Sequence, residues 1–103
     1  MDAITSEQDW DQLAGRGEAA VLFWASWCVP SRTAVESLRA LDARYGRRFA
    51  LGLVDVDRAP ALVSRHHIQG LPTLLVLKGG AVRERRVGLM SRDDVMALLD
   101  RHA

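Results

Sequence analysis

The stretch that decides the fold of this chain runs from Trp24 to Arg32 and reads Trp-Ala-Ser-Trp-Cys-Val-Pro-Ser-Arg. It continues an apolar run, Ala20 to Ala25, that predicts a buried β-strand. After it, apolar residues recur at spacings of three and four, which predicts a helix from about Ser31 to Tyr45. Cys28, the only cysteine, is therefore expected where a strand ends and a helix begins.

This position suits a reactive thiol. A helix begins with N–H groups that have no acceptor within the helix and with the positive end of its dipole, and both favour a thiolate over a thiol. Pro30 fits the first turn, because an N–H there would have had no partner. A lone cysteine is usually a small core residue, but the flanking Trp27 and Pro30 at a strand-to-helix junction favour a redox site.

The other segments predict alternating strands and helices. Phe49 to Val56 is rich in apolar and branched residues and predicts a second buried strand. Strand, helix and strand in this order imply a right-handed crossover and parallel pairing. Lys78 to Ala81 predicts a hairpin turn, because its two glycines supply positive φ angles, and Val82 to Val87 predicts a solvated, arginine-rich edge strand.

Several helix ends carry caps that the sequence reveals. Thr5 or Ser6 is expected to cap a first helix that ends at Gly15, and Asp57 is expected to cap the helix that begins near Pro60. Ser91 to Asp94 has the spacing of a capping box. The helix that it begins has a predicted core face of Val95, Leu98 and Leu99.

Composition narrows the function classes. The chain has 103 residues, 49% of them hydrophobic, which suits one domain over residues 1–103. A formal net charge of +1 gives no field that would attract nucleic acid or a membrane. One cysteine excludes an internal disulfide and a cysteine-based zinc site, and the adjacent His66 and His67 lack the spacing of helical metal ligands. Met1 to Trp10 is polar and predicts no signal peptide, so we expect a cytoplasmic protein. We also expect a monomer that binds no metal or cofactor.

Two motifs resemble those of the thioredoxin family. The segment from Trp27 to Ser31 is similar to the family's Trp-Cys-x-Pro-Cys motif, with Ser31 in place of the second cysteine. Gly70-Leu71-Pro72-Thr73 resembles the family's Gly-Ile-Pro-Thr loop, and the order of elements agrees along nearly the whole chain. The resemblance implies an α/β thioredoxin fold, a central mixed sheet with helices on both faces, and a cis peptide bond between Leu71 and Pro72.

The same resemblance implies a site and its partners. Cys28 would be the nucleophile, and Ser31 would mark the resolving position and donate a hydrogen bond to the thiolate. Pro30 and Pro72 would complete the catalytic set. The substrate groove would be formed by Trp27, Val29, Val56, Leu71 and Gly88. The Leu71 backbone would align an extended substrate segment. The partners would be a thioredoxin reductase, as electron donor, and disulfide-containing proteins, as substrates.

Ser31 changes the chemistry that the family motif implies. A thiolate attacks a substrate disulfide to form a mixed disulfide, and in the family a second thiol then releases the substrate. A hydroxyl is a far weaker nucleophile towards sulfur, so this chain should stop at the mixed disulfide unless an outside thiol such as glutathione releases it. The otherwise normal motif favours an engineered Cys-to-Ser trapping substitution, and a naturally monothiol protein is the alternative.

Further departures from the family surround the thiol. Leu22 and Leu53 stand where the family has a buried aspartate and a lysine, so an apolar pair replaces a charge pair and the proton relay of the resolving step is lost. Val29 replaces the commonest glycine and should narrow the approach to Cys28. Glu36 replaces a kink proline, which predicts a straighter helix.

These observations support two main hypotheses of different classes. The first is a protein-disulfide reductase, a thiol–disulfide oxidoreductase impaired in this form by Ser31. The second is a redox-silent thioredoxin-like binding or chaperone module, which the loss of the charged pair supports. The reactivity of Cys28 at neutral pH separates them, because only an enzyme needs the thiolate. A third hypothesis, a monothiol protein holding an iron–sulfur cluster, is opposed by the tryptophan-proline motif.

Overall fold

The structure is a computed structural model that describes residues 1–103. The elements along the chain are β1 (Asp2–Ala3), α1 (Glu7–Ala14), β2 (Glu18–Trp24), α2 (Val29–Ala40), α3 (Asp42–Tyr45), β3 (Ala50–Asp55), α4 (Pro60–Arg65), β4 (Thr73–Lys78), β5 (Ala81–Val87) and α5 (Arg92–Arg101). None of the five helices is both long and apolar enough to span a bilayer.

The five strands form one mixed sheet in the order β1-β3-β2-β4-β5. β3 pairs with β1 and β2 in parallel, whereas β4 pairs with β2 and β5 antiparallel. The parallel pairing of β2 with β3 confirms the crossover predicted from the order of strand, helix and strand. The arginine-rich β5 lies at the edge of the sheet, as predicted.

Helices cover both faces of the sheet, which confirms the predicted architecture. Alternate residues of β2 point to opposite faces. Ala20 and Leu22 pack into the core cluster that contains the apolar faces of α2 and α5. Val21 and Phe23 pack into the second cluster, with α1 and α4. Because Phe23 is fully buried, its transfer from water contributes about 1.5–3 kcal/mol.

The local signals at caps and turns are confirmed. The Ser6 side chain accepts a hydrogen bond from the Asp9 N–H at the start of α1, and Gly15 ends that helix. Both glycines of the hairpin turn have positive φ angles. Ser91 and Asp94 form the reciprocal capping box of α5.

The structure differs from the predictions in three places. The helix expected to reach Tyr45 ends at Ala40, because the Leu41 N–H donates to the Leu38 carbonyl and tightens the last turn before α3 begins. As expected for a helix with Glu36 in place of a kink proline, α2 continues without a break at that residue. Asp57 does not cap α4, whose N-cap is Ala59. β1 was not predicted, since two residues are too few to show a strand pattern.

Candidate active site

Cys28 occupies the N-cap position of α2, four residues after the end of β2. Its backbone is extended (φ −108°, ψ 106°), and its carbonyl accepts the first helical hydrogen bond, from the Arg32 N–H at 3.1 Å. The N–H groups of Val29 and Ser31 have no acceptor within the chain. The partly exposed thiol is therefore held at a helix end whose free donors and dipole stabilise negative charge.

The Ser31 hydroxyl is committed to the backbone. Ser31 is fully buried, and its Oγ accepts the Ala25 N–H at 3.0 Å. The same oxygen lies 2.9 Å from the Ala25 carbonyl oxygen and 2.8 Å from that of Cys28. Both carbonyls compete for its single proton, so the expected hydrogen bond from Ser31 to the Cys28 thiolate is not formed. The hydroxyl instead links the first turn of α2 to Ala25, the residue that follows β2.

An apolar groove of about 400 Å³ opens beside the thiol. It is lined by Trp27, Cys28, Val56, Val63, Ile68, Gln69, Gly70 and Leu71. The structure thus brings Trp27, Val56 and Leu71 together with Cys28, as the resemblance implied. Val29 does not line the groove and is 59% exposed.

Four groove residues were missed by the sequence analysis. Val63 and Ile68 looked like ordinary apolar positions of a helix and its following loop, and no spacing set them apart. Gln69 and Gly70 directly precede the Leu71-Pro72 pair, so their neighbourhood could have indicated them.

The loop before β4 presents an unpaired peptide to this groove. The Leu71–Pro72 bond is cis, and Pro72 is buried at the base of the loop. The Thr73 hydroxyl donates to the Gly70 carbonyl at 2.6 Å, and the Gly88 N–H donates to the Pro72 carbonyl at 2.8 Å. The N–H and carbonyl of Leu71 have no hydrogen bond within the chain. A fixed loop with free peptide groups suits the addition of an extended segment.

Gly88 therefore supports the site without lining the groove. Its φ of +98° lies in the region that favours glycine, and its N–H holds the Pro72 loop in place. Pro30, at the first turn of α2, is exposed next to the thiol and carries no N–H that α2 would leave unpaired.

Trp27 forms the exposed wall of the groove. Its side chain is 67% exposed, but its indole Nε1–H donates to the carboxylate of Asp57 at 3.0 Å. The Asp57 N–H in turn donates to the Asp55 carboxylate at 3.0 Å. Asp57, expected to cap a helix, instead fixes the orientation of Trp27. No sequence pattern indicates this contact, because the two residues are 30 positions apart.

Leu22 and Leu53 are paired in register on β2 and β3 and are buried in the cluster beneath α2. Ser31 and Thr73 are the only buried polar residues in the chain. The core behind the thiol therefore contains no carboxylate or amine that could exchange a proton with the site.

His66 stands behind the groove wall, at the end of α4. Its ring centroid is 4.0 Å from that of Trp10, and its Nε2 is buried without a hydrogen-bond partner. Burial, with a smaller contribution from the positive charge of Arg65, lowers the pKa of His66 below its ordinary value. His66 is therefore held as a neutral ring next to the segment that carries Ile68 to Leu71.

A thiol beside an apolar groove, next to peptide groups free to pair with another strand, is an arrangement suited to thiol–disulfide exchange. On a five-stranded mixed sheet covered on both faces, this arrangement is that of the thioredoxin-fold class of thiol–disulfide oxidoreductases.

The chain belongs to the thioredoxin family, since the family model named Thioredoxin matches residues 3–101. It is 31% identical over 101 residues to the chloroplastic M-type thioredoxin of Zea mays, where the match covers 96% of this chain and 60% of the maize protein. It is 30% identical over 97 residues to a thioredoxin of Staphylococcus aureus, covering 94% of this chain and 93% of that protein.

Two solved structures share the fold. Fasciola hepatica thioredoxin superposes with a TM-score of 0.90 at 23% identity, and both chains are covered completely. Malassezia sympodialis thioredoxin (Mala s 13) superposes with a TM-score of 0.87 at 24% identity, covering 99% of this chain and 90% of that one. Membership of the family supports thiol–disulfide oxidoreductase chemistry at the general level.

Proposed function

We propose that this protein carries out thiol–disulfide exchange with protein substrates through Cys28 and stops at the mixed disulfide. The Cys28 thiolate attacks one sulfur of a substrate disulfide, forms a new S–S bond with it and expels the other substrate sulfur as a thiolate. The observation that carries this proposal is the single thiol at the N-cap of α2, at the edge of an apolar groove.

Release of the substrate requires a thiol from outside the chain. Ser31 occupies the position of a resolving group, but its hydroxyl is buried and bound to the Ala25 and Cys28 backbone. The thiolate of an external molecule such as glutathione attacks the mixed disulfide, regenerates the Cys28 thiolate and leaves the substrate joined to that molecule. With Leu22 and Leu53 behind the site, no internal group assists this step.

The Ser31→Cys variant bears on the origin of Ser31. A trapping substitution, favoured by the otherwise normal motif, predicts that Ser31→Cys restores turnover with a thioredoxin reductase and NADPH. A protein that has left redox catalysis predicts that neither form turns over. For either origin we propose that the resolving step of Ser31→Cys is slow, because Leu22 and Leu53 leave it without a proton relay. Adding Leu22→Asp to Ser31→Cys should then speed turnover, and an unchanged rate would contradict the missing relay.

The partners follow from the same proposal. We propose a thioredoxin reductase as the electron donor of the form with two thiols, and disulfide-containing proteins as substrates of both forms. The compartment proposed is the cytoplasm, where small thiols keep Cys28 reduced, and the protein is proposed to act as a monomer.

A second candidate is a redox-silent binding module that uses the groove alone. The observation in its favour is the apolar Leu22–Leu53 pair, which replaces the family's charged pair. Such a module would bind extended segments through the free Leu71 peptide and would retain its affinity after Cys28→Ser substitution.

The test is the formation of a covalent complex. The reduced protein is mixed at neutral pH with a disulfide-containing model protein, and the products are separated without reductant and identified by mass. We expect a one-to-one complex that dithiothreitol dissolves and that Cys28→Ser cannot form. If Cys28 reacts no faster than a free cysteine and forms no complex, the redox proposal is wrong. Binding that persists in Cys28→Ser would then favour the second candidate.

A further inference from the structure

Arg32 folds back over the loop that carries Cys28. Its guanidinium Nη1 donates to the Ser26 carbonyl oxygen at 3.0 Å, and its backbone N–H donates to the Cys28 carbonyl oxygen at 3.1 Å. One residue therefore contacts the loop on both sides of Trp27. Ser31 also contacts this loop, but Ser31 is buried, whereas Arg32 is exposed.

The hydrogen bonds of the loop show why this contact matters. The Ala25 peptide is fixed by Ser31 and by the Cys28 N–H, which donates to the Ala25 carbonyl at 3.1 Å. The Ser26 carbonyl, in contrast, has no partner in the chain except the Arg32 guanidinium. Without that side chain, the backbone between Ala25 and the start of α2 would lose its one hydrogen bond at Ser26, and only the Trp27 indole, bound to Asp57, would still hold this part of the loop.

Arg32 also brings a charge that nothing in the chain neutralises. A guanidinium remains protonated at all relevant pH values. Every carboxylate that forms an ion pair does so with another residue, so the Arg32 charge stays available. The carboxylate of Asp57 accepts a hydrogen bond from the indole of Trp27 and forms no ion pair with Arg32.

We infer that Arg32 is a positioning residue for Cys28, which holds the loop through Ser26 and keeps a positive charge on the loop two residues before the thiol. The inference deepens the proposed function, on which it rests, because it names a residue that prepares the same thiol for attack. It adds no residue to the exchange chemistry itself, since the guanidinium does not touch the reacting sulfur.

Arg39 provides a matched control. It lies on α2 seven residues after Arg32, so it is on the same helix face but about 10 Å farther along the axis. It is exposed and makes no side-chain hydrogen bond or ion pair. Methionine keeps an unbranched side chain and the helix propensity of arginine but has no charge and no donor. Arg32→Met and Arg39→Met therefore each remove one positive charge, and the charge removed at Arg39 lies farther from the thiol.

The experiment measures the alkylation of Cys28 by neutral iodoacetamide and by anionic iodoacetate at low ionic strength. We expect Arg32→Met to slow both reactions and to lower the iodoacetate-to-iodoacetamide rate ratio by about twofold, as expected for one charge at about 8–10 Å in water. Arg39→Met should leave the ratio near that of the unmodified chain. Arg32→Lys should keep the ratio, because it keeps the charge, while the neutral reagent reacts more slowly.

These outcomes separate the inference from its alternatives. A purely structural role of Arg32 would lower the urea midpoint without changing the ratio, and equal ratios for Arg32→Met and Arg39→Met would overturn the inference. If Arg32→Met fails to fold, a ratio lowered in Arg32→Lys would overturn it instead. Alkylation needs no substrate disulfide, so it tests this inference separately from the proposed function. If the proposed exchange reaction fails, the chain without substitutions will still be alkylated at Cys28 but will form no mixed disulfide.

Discussion

The substitution Ser31→Ala tests how strongly the buried hydroxyl holds the active-site turn. It removes the only acceptor of the Ala25 N–H, in a residue that is fully buried, and the only side-chain donor to the Ala25 and Cys28 carbonyls. A buried donor left without a partner costs about 1–3 kcal/mol. Alanine returns about 0.5 kcal/mol through its higher helix propensity. We therefore expect the free energy of unfolding to fall by about 0.5–2.5 kcal/mol.

Urea unfolding, followed by tryptophan fluorescence, measures this loss. With a slope of about 1–3 kcal/mol per molar urea, a loss of 2 kcal/mol lowers the midpoint by about 1 M. Ser37→Ala is the control, because Ser37 lies on the same helix, is half-buried and makes no side-chain hydrogen bond. It should change the stability only by the gain in helix propensity. If Ser31→Ala is as stable as Ser37→Ala, the hydroxyl does not hold the turn and our account of Ser31 is refuted.

Three further substitutions probe the groove and its support. Asp57→Ala removes the acceptor of the Trp27 indole, so mixed-disulfide formation should slow by about fivefold, as for one lost hydrogen bond, whereas Asp57→Asn, which keeps an acceptor, should slow it less. In Gly70→Ala the new methyl carbon would lie 2.8 Å from Val87 Cγ1; stability should drop by about 1–3 kcal/mol, and adding Val87→Ala should restore most of it, whereas additive losses would contradict a clash. Because the pKa of His66 is lowered in the folded state, the neutral ring contributes stability that is present above its ordinary value of 6.5 and lost as the pH falls. The stability of His66→Phe should therefore fall less than that of the unmodified chain as the pH drops below 6.5, and the same pH dependence of stability in both proteins would exclude this role.

The parts of the fold that sequence predicted have local causes. The strand before Cys28, the helix after it, the hairpin glycines and the capping box of Ser91 each depend on residues a few positions apart. Such short-range patterns determine φ angles and apolar faces without reference to distant residues. They sufficed to place the thiol at a helix N-terminus, and the resemblance to the family supplied the topology and the loop of Leu71.

The parts that were missed depend on distant residues. Asp57 has the sequence context of a helix cap, and only the folded chain places its carboxylate against an indole 30 positions away. β1 becomes a strand only because β3 is there to pair with it. Ser31 was expected to donate a hydrogen bond to the Cys28 thiolate, but its hydroxyl is hydrogen-bonded to the backbone of Ala25 instead. Each outcome was decided by geometry that neither composition nor spacing contains.

The commitment of the Ser31 hydroxyl to the backbone has a kinetic consequence. In a protein with a second thiol, a captured substrate leaves by a first-order step, with a lifetime that is a property of the molecule alone. With no internal nucleophile at this position, departure becomes second order, and its half-life varies inversely with the concentration of thiolate in the surroundings. The lifetime of the covalent complex would then depend on the thiolate concentration of the surroundings, so that a substrate stays bound longer where thiols are scarce.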